Sequence, residues 1–343
     1  MFSSTRIVDL LCCPKCRGPL TIEVTSEDEL GIRGGSLACR HCRQAYAISE
    51  GIFHLPPGDE VTKETGDWDL SCFEDLYRCK GGTRSNVEWA ENTGVPRPIA
   101  EHDHPRVKGR LMDWLDVPDN GTVLDVGAGS GYFIFEIMRH CTAENVGFVG
   151  IDPSAEHIKW LEDRKREEGR HNILTVVGDG RALPFQQHRF DAVICSEVLE
   201  HIPANQRVIQ AMAACLRPGG MLLLSTPSKA AFDFWDFVSA PLRWALRTRK
   251  AGNPYDRPMH ARELKRYLGD AGIRIEHFEM NVILPPQSYF AHVPRLFARV
   301  CAGFCALLER HMKWLLASRF ALHMVVCGRK TGPDMGGQVD SSV

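Results

Sequence analysis

Four cysteines in two C-x-x-C pairs, Cys13/Cys16 and Cys39/Cys42, carry the first chemistry in this 343-residue chain. Each pair turns tightly enough to set two thiolates on one side of a cation, and two such turns complete a tetrahedral site. All four donors are protein thiols, so no position is left open to water. An ion held there, zinc by donor type, is structural rather than catalytic. Cys12, beside Cys13, is an alternative ligand. A second constellation is the turn Gly127-Ala128-Gly129-Ser130-Gly131, whose glycines let the backbone approach a bound molecule closely and whose amides open a helix. A third is the E-x-x-E-H of Glu197, Glu200 and His201, with His260 farther along the chain as a group that could face it across a cleft. Two carboxylates and two imidazoles suit Mg²⁺, Mn²⁺ or Zn²⁺. Two readings need no ion: His201 is a general base with Glu200 and His260 beside it, or Glu197 shapes a pocket while Glu200 and His201 cap the next helix.

These residues need elements to position them. Around the cysteines, TIEVTS and GSLAC alternate as short strands between Gly-rich turns, within a unit spanning 1–58. So short a unit has too little apolar surface for a core of its own, and a bound ion would stabilise it where packing cannot. A connector, 59–110, follows PPG and ends in VPRPIAEHDHPRV; WDLSCFEDLYRC within it is expected to form a short helix. From 111 to 330 the periodicity changes. TVLDVGAGSGYFIFEIMRH is a strand, the Gly-rich turn and an amphipathic helix. VGFVGID is a second strand ending on Asp152, ILTVVGDG a third ending on Asp179, FDAVICSEVLEHI a fourth, and RPGGMLLLSTP a turn and a fifth. ARELKRYLGDAG is a helix, RIEHFEMNVIL a sixth strand and FALHMVVCGRK a seventh. The alternation predicts an α/β fold, a seven-stranded, mostly parallel, doubly wound sheet with ligand loops at the carboxyl ends of its strands.

CPxC, then CxxC, then Y-x-I-x-x-G-I-x-x-L resembles the small zinc-ribbon activator of tRNA- and rRNA-modifying methyltransferases. It equally resembles the N-terminal ribbon of bacterial rRNA guanine-N1 methyltransferases. VLDVGAGSG, Asp152, GDGRALPF, FDAVICSEVLEHI and RPGG, in that order, resemble the class I S-adenosylmethionine-dependent methyltransferases. That resemblance implies that Gly127, Ala128, Gly129 and Gly131 hold the methionine part of the cofactor, Asp152 the ribose and Asp179 the adenine amino group. Asp125 would anchor the Gly loop or reach the methionine amine, and Pro153, Gly180 and Glu197 complete the set. E-x-x-E-H with a distant His also resembles the metal site of small-RNA 3′-terminal 2′-O-methyltransferases and a motif of ubiquinone-pathway O-methyltransferases.

Two inserts, 228–258 and 285–319, interleave aromatic and basic residues: Phe234, Trp235 and Phe237 before Arg247, Arg249 and Lys250, and Leu296, Val300, Phe304 and Leu307 among Arg295, Arg299 and Arg310. They are expected to roof an apolar acceptor pocket, lie on a membrane surface (285–319), or pack against the domain or the second copy of a homodimer. The tail, 331–343, is expected to be disordered. Composition is ordinary, 44% hydrophobic and 24% charged, and a net charge of −2 counts against a large nucleic-acid footprint. No export signal or 18-residue apolar run appears, so a cytoplasmic setting is expected. The expected activity is methylation of a hydroxyl on a small, lipid-linked or sugar-linked acceptor. The alternatives are RNA methylation with the ribbon docking RNA, and a non-catalytic cofactor-binding activator.

Overall fold

A computed structural model describes residues 2–58, 61, 97–246, 257–282, 296, 299–300, 303–307, 310–311 and 321–332. The expected helix at 68–79, the basic cluster of Arg247, Arg249 and Lys250, much of the 285–319 insert and the tail from 333 lie outside the described residues.

At the front, helix α1 (Ser4–Leu10) leads into strands β1 (Leu20–Asp28), β2 (Gly31–Cys39), β3 (Ala45–Ser49) and β4 (Ile52–Leu55). Helix α2 (Arg97–Trp114) then runs across residue 110 into the sheet domain. The seven expected strands follow: β5 (Thr122–Val126), β6 (Gly147–Asp152), β7 (Ile173–Gly178), β8 (Phe190–Ser196), β9 (Leu216–Pro227), β10 (Ile273–Asn281) and β11 (His323–Lys330). The helices among them are α3 (Tyr132–His140), α4 (Ala155–Glu167), α5 (Asn205–Cys215), α6 (Lys229–Leu246) and α7 (Ala261–Asp270).

Strands β5, β6 and β8 pair in parallel and carry almost continuous apolar runs, because both faces of a parallel sheet are covered. Alternate residues feed two cores. Leu124, Val126, Val149 and Ile151 face α5 and α7, whereas Val123, Phe148, Ile173 and Ile194 face α2, α3 and α4. Strand β11 lies antiparallel between β9 and β10, so this end of the sheet finishes in two antiparallel pairings.

The cysteine unit is part of this sheet, a joining the sequence does not announce. All eleven strands form one sheet in the order β1-β2-β3-β4-β7-β6-β5-β8-β9-β11-β10. The joint is a parallel pairing of β4 with β7, Ile52 to Thr175 through Leu55 to Gly178. Leu11, Leu37, Phe53 and Leu55 are buried in the same core cluster as Leu124 and Val176, which answers the shortage of apolar surface in so small a unit. Glu162 of α4 stands behind the joint, 2% exposed. It accepts from Lys165 Nζ (2.9 Å), Arg166 Nε (3.1 Å) and Thr175 Oγ1 (2.9 Å), with Arg33 of β2 at 3.6 Å. Gly51 O lies 3.2 Å from the same Thr175 hydroxyl, whose single proton the two acceptors share. No helix among the described residues is long and apolar enough to cross a membrane.

Removing one partner of a buried ion pair strands the other. Glu162→Ala is therefore expected to cost about 3 kcal/mol of unfolding free energy by urea denaturation. A loss below about 0.5 kcal/mol, the scale of a surface pair, would contradict this role.

Candidate functional site

Strand β5 ends in a turn that only glycine makes without strain: φ is +76° at Gly127, +52° at Gly129 and +81° at Gly131. The three differ in what surrounds them. A Cβ on Gly127 would lie 2.3 Å from Val198, and one on Gly131 2.4 Å from Leu161, so these two are glycine because the fold presses on them. A Cβ on Gly129 meets nothing within 4 Å, leaving that side of the turn open for a ligand. The amides of Gly127 and Ala128 are spent on Ile151 O, and that of Gly129 on Asp152 Oδ2 at 3.1 Å.

Asp152 stands where the sequence predicts, at the carboxyl end of β6 beside Pro153. Its other oxygen accepts from Ser154 N (2.9 Å), and His157 Nδ1 lies 3.5 Å away, stacked on Trp160. Asp125, under the turn, is 3% exposed. Burial pushes its carboxyl up to about 7; the Asp152 charge adds to the rise and Lys108 of α2 opposes it.

Asp179 directly follows β7 but is already engaged. Arg181 grips both carboxylate oxygens, with Nη2 2.6 Å and Nε 2.9 Å from Oδ2, and its backbone amide bonds Oδ1 at 2.8 Å. Both side chains are about 5% exposed. An adenine amino group would share this acid with a guanidinium, a partner the sequence reading did not supply. Gly180, next in line, is buried against Val126, Ile202 and Val208.

At the end of β8, Glu197 takes a left-handed φ of +56°. Its carboxylate accepts from Ser225 Oγ (2.7 Å) and lies 2.9 Å from His323 Nδ1 of β11. Glu200, 3% exposed, accepts from Thr226 Oγ1 (3.1 Å) and has half-buried His201 at 3.6 Å. Burial holds the Cys195 thiol well above its usual range, and the charges of Glu200, Asp125 and Glu197 add to it, so these acids converge on the end of β8. His260 sits exposed at the start of α7 with no side-chain capping bond. The second-metal expectation is corrected here. Glu197 and Glu200 turn to different partners, and among the described residues only the cysteines form a group whose ligand atoms could share an ion.

That group is Cys13, Cys16, Cys39 and Cys42, with all four sulfurs within 4.8 Å of one another. The Cys13–Cys42 and Cys16–Cys39 separations are 3.6 and 3.5 Å. A tetrahedral ion with ~2.3 Å bonds to sulfur needs sulfurs about 3.8 Å apart, so the set fits zinc. Both C-x-x-C turns close alike: Arg17 N–H bonds Cys13 O, Arg43 N–H bonds Cys39 O, and both arginines are left-handed. Amides of His41 and Cys42 donate to Cys39 Sγ. Cys12 is buried and its sulfur is not among the four that cluster, so the ligand beside it is Cys13.

Sequence reasoning missed Arg17, Arg181, Ser225, Thr226 and His323. His323 did carry a signal, as the polar residue in the apolar run FALHMVV.

A family described as "Methyltransferase domain" matches residues 118–256, and one described as "Trm112p-like protein" matches residues 5–51. The ubiquinone biosynthesis O-methyltransferase of Coxiella burnetii is 30% identical over 221 residues, covering 64% of this chain and 86% of that protein. Its counterpart in Xanthomonas axonopodis is 32% identical over 188 residues, covering 55% and 76%. A solved chain from the complex of the Haloferax volcanii Trm112 methyltransferase activator with a methyltransferase aligns at TM-score 0.47 and 17% identity, over 73% of this chain and 99% of that one.

A carboxyl raised by burial favours the folded state below its ordinary range, and that contribution is lost as pH rises through the folded value. Asp125→Asn removes the cost of ionising the buried group. In ligand-free protein it is expected to be roughly 2–4 kcal/mol more stable than the parent at about pH 8, the gap closing near pH 4. Equal stabilities at about pH 8 in denaturant titrations would contradict the raised carboxyl.

Proposed function

From its membership in the S-adenosylmethionine-dependent methyltransferases, we propose that this chain methylates a hydroxyl oxygen on a small, apolar or lipid-linked acceptor. The observation carrying the reading is the turn open above Gly129, with Asp152 bonded to its amide and Asp125 beneath it. Gly127, Ala128, Gly129 and Gly131 cradle the methionine portion, Asp125 faces its ammonium group, and Asp152 beside Pro153 takes the ribose hydroxyls. Asp179, held by Arg181, and Gly180 border the adenine, and Glu197 closes the pocket from β8.

When bound, S-adenosylmethionine supplies a sulfonium-bound methyl group, which passes to the acceptor oxygen and leaves a neutral thioether. Much of the catalysis is alignment and exclusion of water. His201, with Glu200 behind it, accepts the proton that the hydroxyl must lose; His260, exposed at the rim, bounds the acceptor's entry. Cys13, Cys16, Cys39 and Cys42 hold structural zinc.

The acceptor class is inferred from apolar side chains left exposed on the two inserts. Phe237 of α6 is 81% exposed, and Leu296, Val300, Phe304 and Leu307, at helical spacing, are 55–76% exposed beside Arg299 and Arg310. An apolar stripe flanked by arginine suits an apolar acceptor or contact with a membrane surface. No described cysteine forms a disulfide, in keeping with a cytoplasmic setting.

The test is transfer of labelled methyl from S-adenosylmethionine into fractionated cell extract. Label is expected in the solvent-extractable small-molecule fraction. RNase-sensitive label would overturn the acceptor assignment, and binding without any transfer would overturn the catalytic one. Asp152→Ala is expected to weaken S-adenosylmethionine binding about tenfold or more by calorimetry. His201→Ala should lower kcat about 100-fold while leaving that affinity unchanged.

A further inference from the structure

The loop 179–186 that follows β7 is held from the cysteine unit rather than from its own domain alone. Arg17 Nη1 donates to Leu183 O at 2.5 Å and Nη2 to Phe185 O at 2.6 Å. Between these two acceptors, Pro184 O accepts from Cys12 N at 2.9 Å. Gln186 N donates to Leu10 O, its side chain donates to Leu11 O, and Leu11 bridges Phe185 antiparallel. Three consecutive carbonyls of the loop are thus taken by residues adjoining or within the first C-x-x-C turn. The loop's other end carries Asp179 and Gly180, and Gly180 packs on Val126, the residue before the Gly-rich turn.

Arg17 directly follows Cys16, and its position is set by the turn. Its amide bonds Cys13 O at 2.8 Å, Cys13 N bonds Gly18 O at 2.9 Å, and its own φ is +62°. Whatever fixes the sulfurs of Cys13 and Cys16 therefore fixes the root of the guanidinium. We propose that Arg17 is a positioning strut that couples the ion at Cys13, Cys16, Cys39 and Cys42 to the cofactor-binding loop 179–186, so that each ligand strengthens binding of the other. This rests on the S-adenosylmethionine reading given above. Another of the links between the units, Arg33 to Glu162 on α4, lies away from this loop and serves as the control.

Coupling between two bound ligands is reciprocal, so it can be read from either side. In the zinc-loaded chain, S-adenosylmethionine is expected to shift the equilibrium of zinc with a competing chromophoric chelator about tenfold toward the protein. Stripping the zinc should weaken S-adenosylmethionine binding about tenfold by calorimetry. Arg17→Ala is expected to retain zinc, to bind S-adenosylmethionine about as weakly as the stripped parent, and to lose no further affinity on stripping. Arg17→Lys, which cannot fork to two carbonyls, should restore part of the affinity, whereas Arg33→Ala should leave it unchanged. Hydrogen exchange in 179–186 should rise in ligand-free Arg17→Ala and not in Arg33→Ala. Full affinity in Arg17→Ala, or a zinc effect of equal size with and without Arg17, overturns the strut while leaving the cofactor reading intact. A zinc-loaded parent that binds no S-adenosylmethionine overturns both.

Discussion

The parallel pairing of β4 with β7 is the contact on which the rest of the molecule leans. Without it, β7 would end the sheet with open amides and carbonyls, and the front unit would be a small ribbon with little apolar interior. The pairing solves both problems at once, since each part supplies the neighbour the other lacks. Its consequences spread in two directions. Toward the helices, Thr175 and Glu162 knit Gly51 and Arg33 to α4. Toward the strand ends, the register that sets Leu55 against Gly178 delivers Asp179 and its loop to the first C-x-x-C turn.

At the carboxyl edge, packing and openness divide the labour. Gly127 and Gly131 are pressed by Val198 and Leu161, which fixes the turn, while the space above Gly129 is left clear. Asp125, Asp152, Glu197 and Glu200 gather at this edge; burial raises the Asp125 carboxyl first, and the neighbouring Asp152 charge adds to the rise. A cationic ligand would relieve that crowding. An ammonium and a sulfonium on one small molecule are cations of the kind required.

Much of this was legible in the sequence because the signals were local. Each central strand is a β-branched apolar run, each C-x-x-C is a turn with fixed donors, and Asp152 follows from the period of a strand–turn–helix–strand unit. What was not legible depended on partners distant in sequence. IFHL is not read as a strand, and nothing in it names the edge it joins. GDGRALPF shows an acid and a basic residue, yet not that Arg181 folds back onto Asp179. The E-x-x-E-H pattern suggested shared ligation, but Glu197 turns left-handed toward Ser225 and His323, while Glu200 points to Thr226. Spacing constrains which groups can meet only when the backbone between them is regular, and here it is a single tight turn.

Calorimetric unfolding of the zinc-loaded chain tests most directly whether the ribbon and the cofactor sheet are one cooperative structure. A single transition, with calorimetric and van't Hoff enthalpies in agreement, is the predicted result. Two separated transitions, the cysteine unit melting first while the remaining sheet stays folded and cofactor-competent, would contradict it.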